Sequence, residues 1–370
     1  MAHKDNCVYV YKLEGSVWVC KVLKHKFMLD ITCLEWKQRA GGTLAVGCRK
    51  GVCVWNIHSS MENTSNQHET DATERVSALI TSQTMKQPSP RYHPNAWMTY
   101  YRYPGHEHIS AVAWDPTPGS FLIAAASGTS NTLVIYDTLL QQTKPLKRYG
   151  KGNVLLRWSP DGEWLYSASI SGYSRVWETR TWTSSQFLNP PGLWVQSACW
   201  APDNRSLFYS MRGKSDIYML YRTGDTLRSD HLDWKLLTTP AIQVNTTSGE
   251  KVTTGGVIKE LSLDPLGQRL VVAYEDSELL NLYTVNLTSP MILDKKDVLS
   301  LHGYIRGSEL HLSEKAIALK PLNNVRPHHV LYAGSASKDA LLAVVYENNL
   351  ITFVSHAYTS ESDSRRRLYI

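Results

Sequence analysis

A repeated strand–turn–strand pattern constrains this chain more than any other feature of its sequence. In the best copy, residues 152–179, an alternating apolar run ends at Trp158, the turn SPDG follows, and two further runs lead to Trp177. Period-two alternation interrupted by Pro, Asp and Gly is typical of short antiparallel strands joined by tight turns. The sequence therefore predicts an all-β fold built from one recurring unit.

The spacing of the copies indicates what the unit is. Trp114 and Trp158 are 44 residues apart, and Trp158 and Trp200 are 42 residues apart. A period of about 43 residues matches the four-stranded blade of a β-propeller. Similar units could also form sandwiches, but a fixed period with one order of Trp, turn and strand favours radial repetition. We therefore predict a WD40-type β-propeller over residues 1–358, with seven blades of which the first is incomplete. The predicted blade units are 7–22 (partial), 31–57, 96–138, 152–179, 194–222, 256–286 and 315–356.

Tryptophans mark the repeat more clearly than the usual Gly-His and Trp-Asp pairs do. The expected structural repeat positions are Trp36, Trp55, Trp114, Trp158, Trp177 and Trp200. Gly105-His106 with Tyr136-Asp137 is the one recognisable Gly-His and Trp-Asp pair. We therefore expect the blades to depend on Trp and Tyr packing more than on buried His–Asp hydrogen bonds.

Two segments fall outside the repeat. The distance from Trp36 to Trp114 is 78 residues, and the excess matches the polar stretch 58–95, which we expect to be a mobile surface insert. Residues 359–370 form a polar and basic tail that contains Arg365, Arg366 and Arg367.

Several classes of function lack support in the sequence. The 39 Lys and Arg against 33 Asp and Glu give a net charge of +6, too little to predict direct binding of nucleic acid. The chain carries no phosphate-binding glycine loop, no G-x-S-x-G elbow and no C-x-x-C pair, so we predict no cofactor, no metal and no catalytic residues. Asp115, Asp161, Asp203 and Asp264 recur at one turn position, which indicates turn chemistry. No apolar run reaches membrane-spanning length and no signal peptide is visible, so we expect an intracellular, soluble protein.

Part of the repeat resembles the aladin family of WD-repeat nucleoporins. The specific matches are WSPDG from Trp158, RVWE from Arg175, the pair Trp182-Thr183 and CWAPD from Cys199. The resemblance covers about residues 7–356. It implies a non-catalytic scaffold of the nuclear pore complex at the nuclear envelope. It further implies that the chain docks to a transmembrane nucleoporin of the membrane ring and to other pore subunits. Membrane association would come only through such a partner, and the chain would support nucleocytoplasmic protein transport. Family members carry a segment before the first blade, whereas this chain opens within a blade.

Two other functions are compatible with the same fold. A cytosolic WD40 adaptor, such as a substrate receptor of a ubiquitin ligase, differs from a nucleoporin in location and partners. An enzyme with a propeller fold would need carboxylates that converge near the axis, and the turn aspartates are instead expected around the rim.

Overall fold

The computed structural model describes residues 6–40, 42–57, 97–223, 231–245, 251–287, 298–312, 325–333 and 339–357. The chain divides into two compact units, Met1–Trp194 and Val195–Ile370. All elements assigned in the described ranges are β-strands. The insert 58–95 and the tail 359–370 lie outside the described residues.

The described residues of the first unit form fourteen strands in four antiparallel sheets. Their bounds are β1 Cys7–Glu14, β2 Val17–Lys24, β3 Cys33–Trp36, β4 Thr43–Cys48, β5 Gly51–Asn56, β6 Met98–Tyr101, β7 Ile109–Trp114, β8 Leu122–Ser127, β9 Thr132–Asp137, β10 Gln142–Lys147, β11 Asn153–Trp158, β12 Trp164–Ser169, β13 Tyr173–Glu178 and β14 Thr183–Leu188. β1 and β2 form a hairpin, and β3–β6, β7–β10 and β11–β14 each form a four-stranded sheet in chain order. The first strands of the three sheets are neighbours, because β7 lies beside both β3 and β11.

The described residues of the second unit form another fourteen strands. Their bounds are β15 Val195–Trp200, β16 Ser206–Met211, β17 Asp216–Thr223, β18 His231–Thr238, β19 Ile242–Asn245, β20 Lys251–Thr254, β21 Ile258–Leu263, β22 Arg269–Tyr274, β23 Leu280–Val285, β24 Leu299–Arg306, β25 Glu309–Leu312, β26 Pro327–Tyr332, β27 Asp339–Tyr346 and β28 Ile351–Ala357. They form a four-stranded sheet β15–β18, a hairpin β19–β20, a five-stranded sheet β21–β25 and a three-stranded sheet β26–β28.

The central strands are apolar on both faces because both faces are covered. In β8, Ile123 and Ala125 pack into the cluster shared with β4 and β5, whereas Ala124 and Ala126 pack into the cluster shared with β11–β13. Successive side chains of a strand point to opposite faces, so one strand supplies both clusters. Face-to-face stacking of sheets within a unit therefore buries the apolar side chains on both faces of such a strand.

A β-bulge recurs at the start of the first strand of five sheets. The register shifts lie between Ile109/Ala111, Asn153/Leu155, Val195/Ser197, Ile258/Glu260 and Pro327/His329. A bulge re-aims the extra side chain. In three cases that side chain donates a hydrogen bond to a first-strand carbonyl of the next sheet: Ser110 to Asn153, Gln196 to Lys259 (3.3 Å) and Lys259 to Pro327 (3.3 Å).

The blade boundaries differ from those drawn from the sequence. β6 pairs with β5, so Met98–Tyr101 complete the sheet of unit 31–57, although they begin the predicted unit 96–138. β10, β14 and β18 also pair as fourth strands beyond the predicted ends at 138, 179 and 222. The described residues form six sheets of three or more strands, one fewer than the seven predicted blades, and the hairpin β1–β2 stands at the predicted incomplete one.

Candidate protein-interaction surface

The six tryptophans singled out in the sequence occupy two positions of the repeat. Trp36, Trp114, Trp158 and Trp200 end the first strands β3, β7, β11 and β15, whereas Trp55 and Trp177 are the fifth residues of the third strands β5 and β13. Trp55, Trp114, Trp158 and Trp177 are buried, Trp200 is half-buried and Trp36 is 47% exposed. Tryptophans at the same position of the repeat therefore differ in how deeply they are buried.

Two of these indoles connect neighbouring sheets of the first unit. Trp114 Nε1 donates a hydrogen bond to the backbone oxygen of Glu35 at 3.2 Å, and Trp158 Nε1 donates to Ala113 O at 2.9 Å. Each acceptor residue directly precedes the tryptophan that ends the neighbouring first strand. The indole N–H groups thus satisfy carbonyls at the seams between sheets, which a buried indole requires.

Three tryptophans of the third four-stranded sheet lie in the apolar cluster that this sheet shares with β7–β10. Trp177 Nε1 donates to Ser167 Oγ at 2.9 Å, and the guanidinium carbon of Arg148 lies 5.0 Å from the Trp177 ring centroid. Trp182, in the β13–β14 turn, packs edge-on against Trp158 with the ring centroids 6.1 Å apart. Trp, Ser and Arg side chains therefore stabilise this sheet.

The recognisable Gly-His and Tyr-Asp pair behaves differently from a His–Asp pair. His106 is buried and its Nε2 lies 3.1 Å from Thr132 O, while Asp137 accepts the backbone N–H of Leu139 at 2.9 Å. Burial lowers the pKa of His106 to about 4, so the imidazole is neutral at pH 7. The neutral ring of His106 therefore connects the loop before β7 to Thr132, the first residue of β9.

The recurring aspartates hold turns, as the sequence predicts. Asp115 accepts the backbone N–H of Thr117 at 2.9 Å and the hydroxyl of Ser120 at 2.7 Å. Asp161, Asp203 and Asp264 likewise accept a backbone N–H two residues later at 2.9–3.0 Å. These bonds are the Asx-turn chemistry that Asp provides.

The hairpin β1–β2 presents an apolar face to solvent. The register pairs Tyr9 with Val22, Tyr11 with Cys20 and Leu13 with Trp18, and directly opposed residues share a face. The exposed fractions of the five large side chains run from 43% for Tyr9 to 60% for Tyr11. We call these six residues the hairpin face. An exposed, contiguous apolar patch with aromatic side chains is typical of a protein-interaction site.

The opposite side of the hairpin fixes it to the first unit. Val8 and Leu23 are buried in one cluster with Met28, Ile31 and Trp55. The hairpin is therefore anchored at one end of its strands, and its outward face is presented on a supported element. The sequence predicts strands here but does not single out this surface. Apolar residues occur at both odd and even positions of these strands, a pattern typical of a strand that is covered on both faces.

Comparison with known proteins places the repeat in a family. The model of the WD domain, G-beta repeat, matches residues 146–178, which run from the end of β10 to the end of β13. The chain is 27% identical over 288 residues to Aladin from Arabidopsis thaliana, an alignment that covers 75% of this chain and 58% of that protein. The chain therefore carries a WD repeat and is similar to Aladin over three quarters of its length. Its fold is accordingly an all-β, WD40-type β-propeller, as the repeat predicts.

A more distant similarity covers a shorter part of the chain. The chain is 23% identical over 201 residues to the protein transport protein sec31 from Emericella nidulans, an alignment that covers 52% of this chain and 13% of that protein. The chain spans 58% of the length of its Arabidopsis relative.

The described residues were compared with two other kinds of site, a metal centre and a membrane-spanning helix, and form neither. In the part of the chain that the structure describes, no three His, Cys, Asp or Glu side chains are grouped so that they could hold a metal ion. Within the same ranges, no helix has the length and apolarity needed to cross a bilayer.

Proposed function

We propose that this chain is a non-catalytic scaffold subunit of the nuclear pore complex. It docks to a transmembrane nucleoporin of the membrane ring and to other pore subunits, resides at the nuclear envelope, and supports nucleocytoplasmic transport. Membrane association comes only through that partner, and nucleic acid is not contacted directly. The similarity to Aladin supports the assignment to the pore, and the WD-repeat fold supports a role in binding proteins.

The observation that carries the docking part of this proposal is the hairpin face. Its five large side chains are Tyr9, Tyr11, Leu13, Trp18 and Val22, all exposed on one side of a supported hairpin. Tyr and Trp provide large contact areas at low entropic cost and dominate the energetics of many interfaces. A partner that covers this face would remove most of its apolar surface from water, which is the main favourable term in association.

Live imaging tests the location and the surface together. The 370-residue chain, fused to a fluorescent protein, should give a punctate ring at the nuclear rim. Replacing Tyr11 and Trp18 by serine should shift the signal to a diffuse one. The matched control replaces Leu188 and Leu331, which are also exposed apolar residues on strands but lie outside the hairpin, and it should keep the rim signal.

The outcomes separate the proposal from its alternatives. A rim signal that persists in the Tyr11/Trp18 variant would place docking on another surface. A diffuse signal for the unmodified chain, together with co-purification of ubiquitin-ligase subunits, would replace the pore assignment by a cytosolic adaptor or substrate receptor. Equal abundance of all variants on immunoblots shows that loss of the ring is not loss of the protein.

A further inference from the structure

Three cationic side chains line one cleft on the first unit. Arg148 and Lys151 lie in the β10–β11 loop, and Arg175 lies in the middle of β13. Tyr149 and Tyr173 line the same cleft, with their ring centroids 6.0 Å apart in an edge-on arrangement. We call these five residues the arginine cleft. Nothing in the scaffold role or in the repeat requires this concentration of positive charge.

Both arginines are held by acceptors that carry no negative charge. Arg175 is buried and donates from Nη2 to the backbone oxygen of Tyr149 at 2.9 Å. Arg148 donates to Lys147 O at 2.8 Å and to Trp182 O at 3.4 Å, and its guanidinium lies over the Trp177 ring. Each guanidinium carries five N–H donors, so donors remain on both for a further acceptor.

The cleft lacks a balancing carboxylate. Among the described residues, no Asp or Glu forms an ion pair with Arg148, Lys151 or Arg175. Burial, and secondly the nearby Arg148 charge, lower the pKa of Arg175. Burying a charge without a partner is unfavourable, whereas an anion in the cleft would offset both the desolvation and the repulsion.

The loop that carries two of the cations is fixed by its glycines and serines. Gly150 has a φ of +132°, and a Cβ on Gly152 would lie 1.8 Å from Gly128 O, so neither position accepts an ordinary side chain. Ser169 Oγ donates to Lys151 O at 2.8 Å, and Lys151 N donates to Ser171 Oγ at 3.2 Å. The backbone that carries Arg148 and Lys151 is therefore held in place before any ligand arrives, which lowers the entropic cost of binding.

The exposure of the cleft indicates the kind of ligand. It opens to solvent beside Tyr149, which is 81% exposed. An exposed tyrosine beside the cations suits contact with the rest of a peptide whose acidic side chain reaches them.

We propose that the arginine cleft binds an oxyanion side chain, a carboxylate or a phosphate monoester, carried by an extended peptide segment of a protein partner. Arg148 and Arg175 supply the forked donors that match such oxyanions, and Lys151 supplies a point charge at the rim. A peptide is favoured over nucleic acid because the cations are confined to one cleft, whereas backbone tracking needs a basic stripe or groove. The site is independent of the hairpin face.

Fluorescence anisotropy on the full 370-residue chain tests this site. The probes are fluorescein-labelled ten-residue Gly/Ser peptides that carry either three glutamates, one phosphoserine, or glutamines at the same positions. Saturable binding of the glutamate or the phosphoserine peptide, weakened by salt, is expected, and the glutamine peptide should not bind. The stronger of the two acidic probes identifies the source of the oxyanion.

Charge-removing variants locate the binding. Arg148→Gln and Lys151→Gln alter exposed side chains, so folding is retained, and each should weaken binding about tenfold or more. Arg175→Gln should weaken it at least as much. Lys147→Gln removes the same charge from an exposed residue four positions from Lys151 and outside the cleft, and should change affinity less than about twofold.

Several results would overturn the proposal. They are equal binding of the glutamine peptide, equal losses in the Lys147 and Lys151 variants, and no saturable binding of either acidic peptide. A labelled ten-nucleotide oligo-dT that binds more tightly than both acidic peptides, and loses that binding in the cleft variants, would assign the cleft to single-stranded nucleic acid instead.

Discussion

The hydrogen bond between Trp177 and Ser167 should be measurable as a coupling free energy. Trp177 is 1% exposed, Ser167 is equally buried, and the Nε1–Oγ distance is 2.9 Å. Trp177→Phe removes the donor and leaves the Ser167 hydroxyl buried and unpaired, so it should lower the free energy of unfolding by roughly 2–4 kcal/mol. Ser167→Ala leaves the indole N–H unpaired and should cost about 1–2 kcal/mol.

The double variant distinguishes a hydrogen bond from simple packing. With both partners gone, no polar atom of the pair is left unpaired, so the double variant should be more stable than the sum of the single losses by about 1 kcal/mol. Urea unfolding of the four proteins at pH 7, followed by tryptophan fluorescence and far-ultraviolet circular dichroism, gives these values. Losses that add within about 0.3 kcal/mol would refute the reasoning. Trp177→Phe combined with Lys50→Gln, an exposed change in the β4–β5 turn, serves as the additive control.

Further predictions concern the seams between sheets and two titratable groups, Glu35 and His106. Trp158→Phe should lower the free energy of unfolding by about 1–3 kcal/mol through loss of the bond to Ala113, whereas the exposed Trp36→Phe should cost less than about 0.5 kcal/mol, as urea unfolding will show. Burial raises the pKa of Glu35 to about 7, above about 4.3 in an unfolded chain; stability should therefore fall as pH rises from about 4.3 to about 7, and Glu35→Gln should flatten that slope in thermal melts. The pKa of His106 is lowered to about 4, below about 6.5 when unfolded, so stability should be lost as pH falls from 6.5 to 4, and His106→Asn should reduce that loss in the same melts.

The sequence predicts the inner strands well and the outer strands poorly, for a physical reason. Strands such as β8 lie between two covered faces and carry apolar residues at nearly every position. β10 and β14 pair on one side only and are mostly exposed, so their sequences QTKPLK and TSSQFL show little apolar periodicity. Pro145 within β10 is tolerated because an edge strand has unpaired positions. Blade ends drawn at 138 and 179 consequently stopped one strand too early.

The spacing of the repeat does not predict the arginine cleft or the hairpin face. Trp177 was identified from its place in the repeat, but its contact with Arg148 joins residues 29 positions apart in different elements of the chain. The run KRYGKG at 147–152, with three cations, a tyrosine and two glycines, is the signal that a search for basic and aromatic clusters would have found. The exposure of the hairpin face depends on which strands are covered by neighbouring sheets. The local sequence pattern does not show which strands are covered.

Arg148 links the stability of the third sheet to the proposed binding site. Its guanidinium lies 5.0 Å from the Trp177 centroid and also lines the cleft. Arg148→Gln should therefore lower both the unfolding free energy, by about 0.5–2 kcal/mol, and the affinity for the acidic peptide. Lys151→Gln, which removes a side chain with no such ring contact, should lower the affinity alone. If both variants lost stability equally and neither lost affinity, the basic loop would be a structural feature of the sheet, and its charges would have no role in recognition.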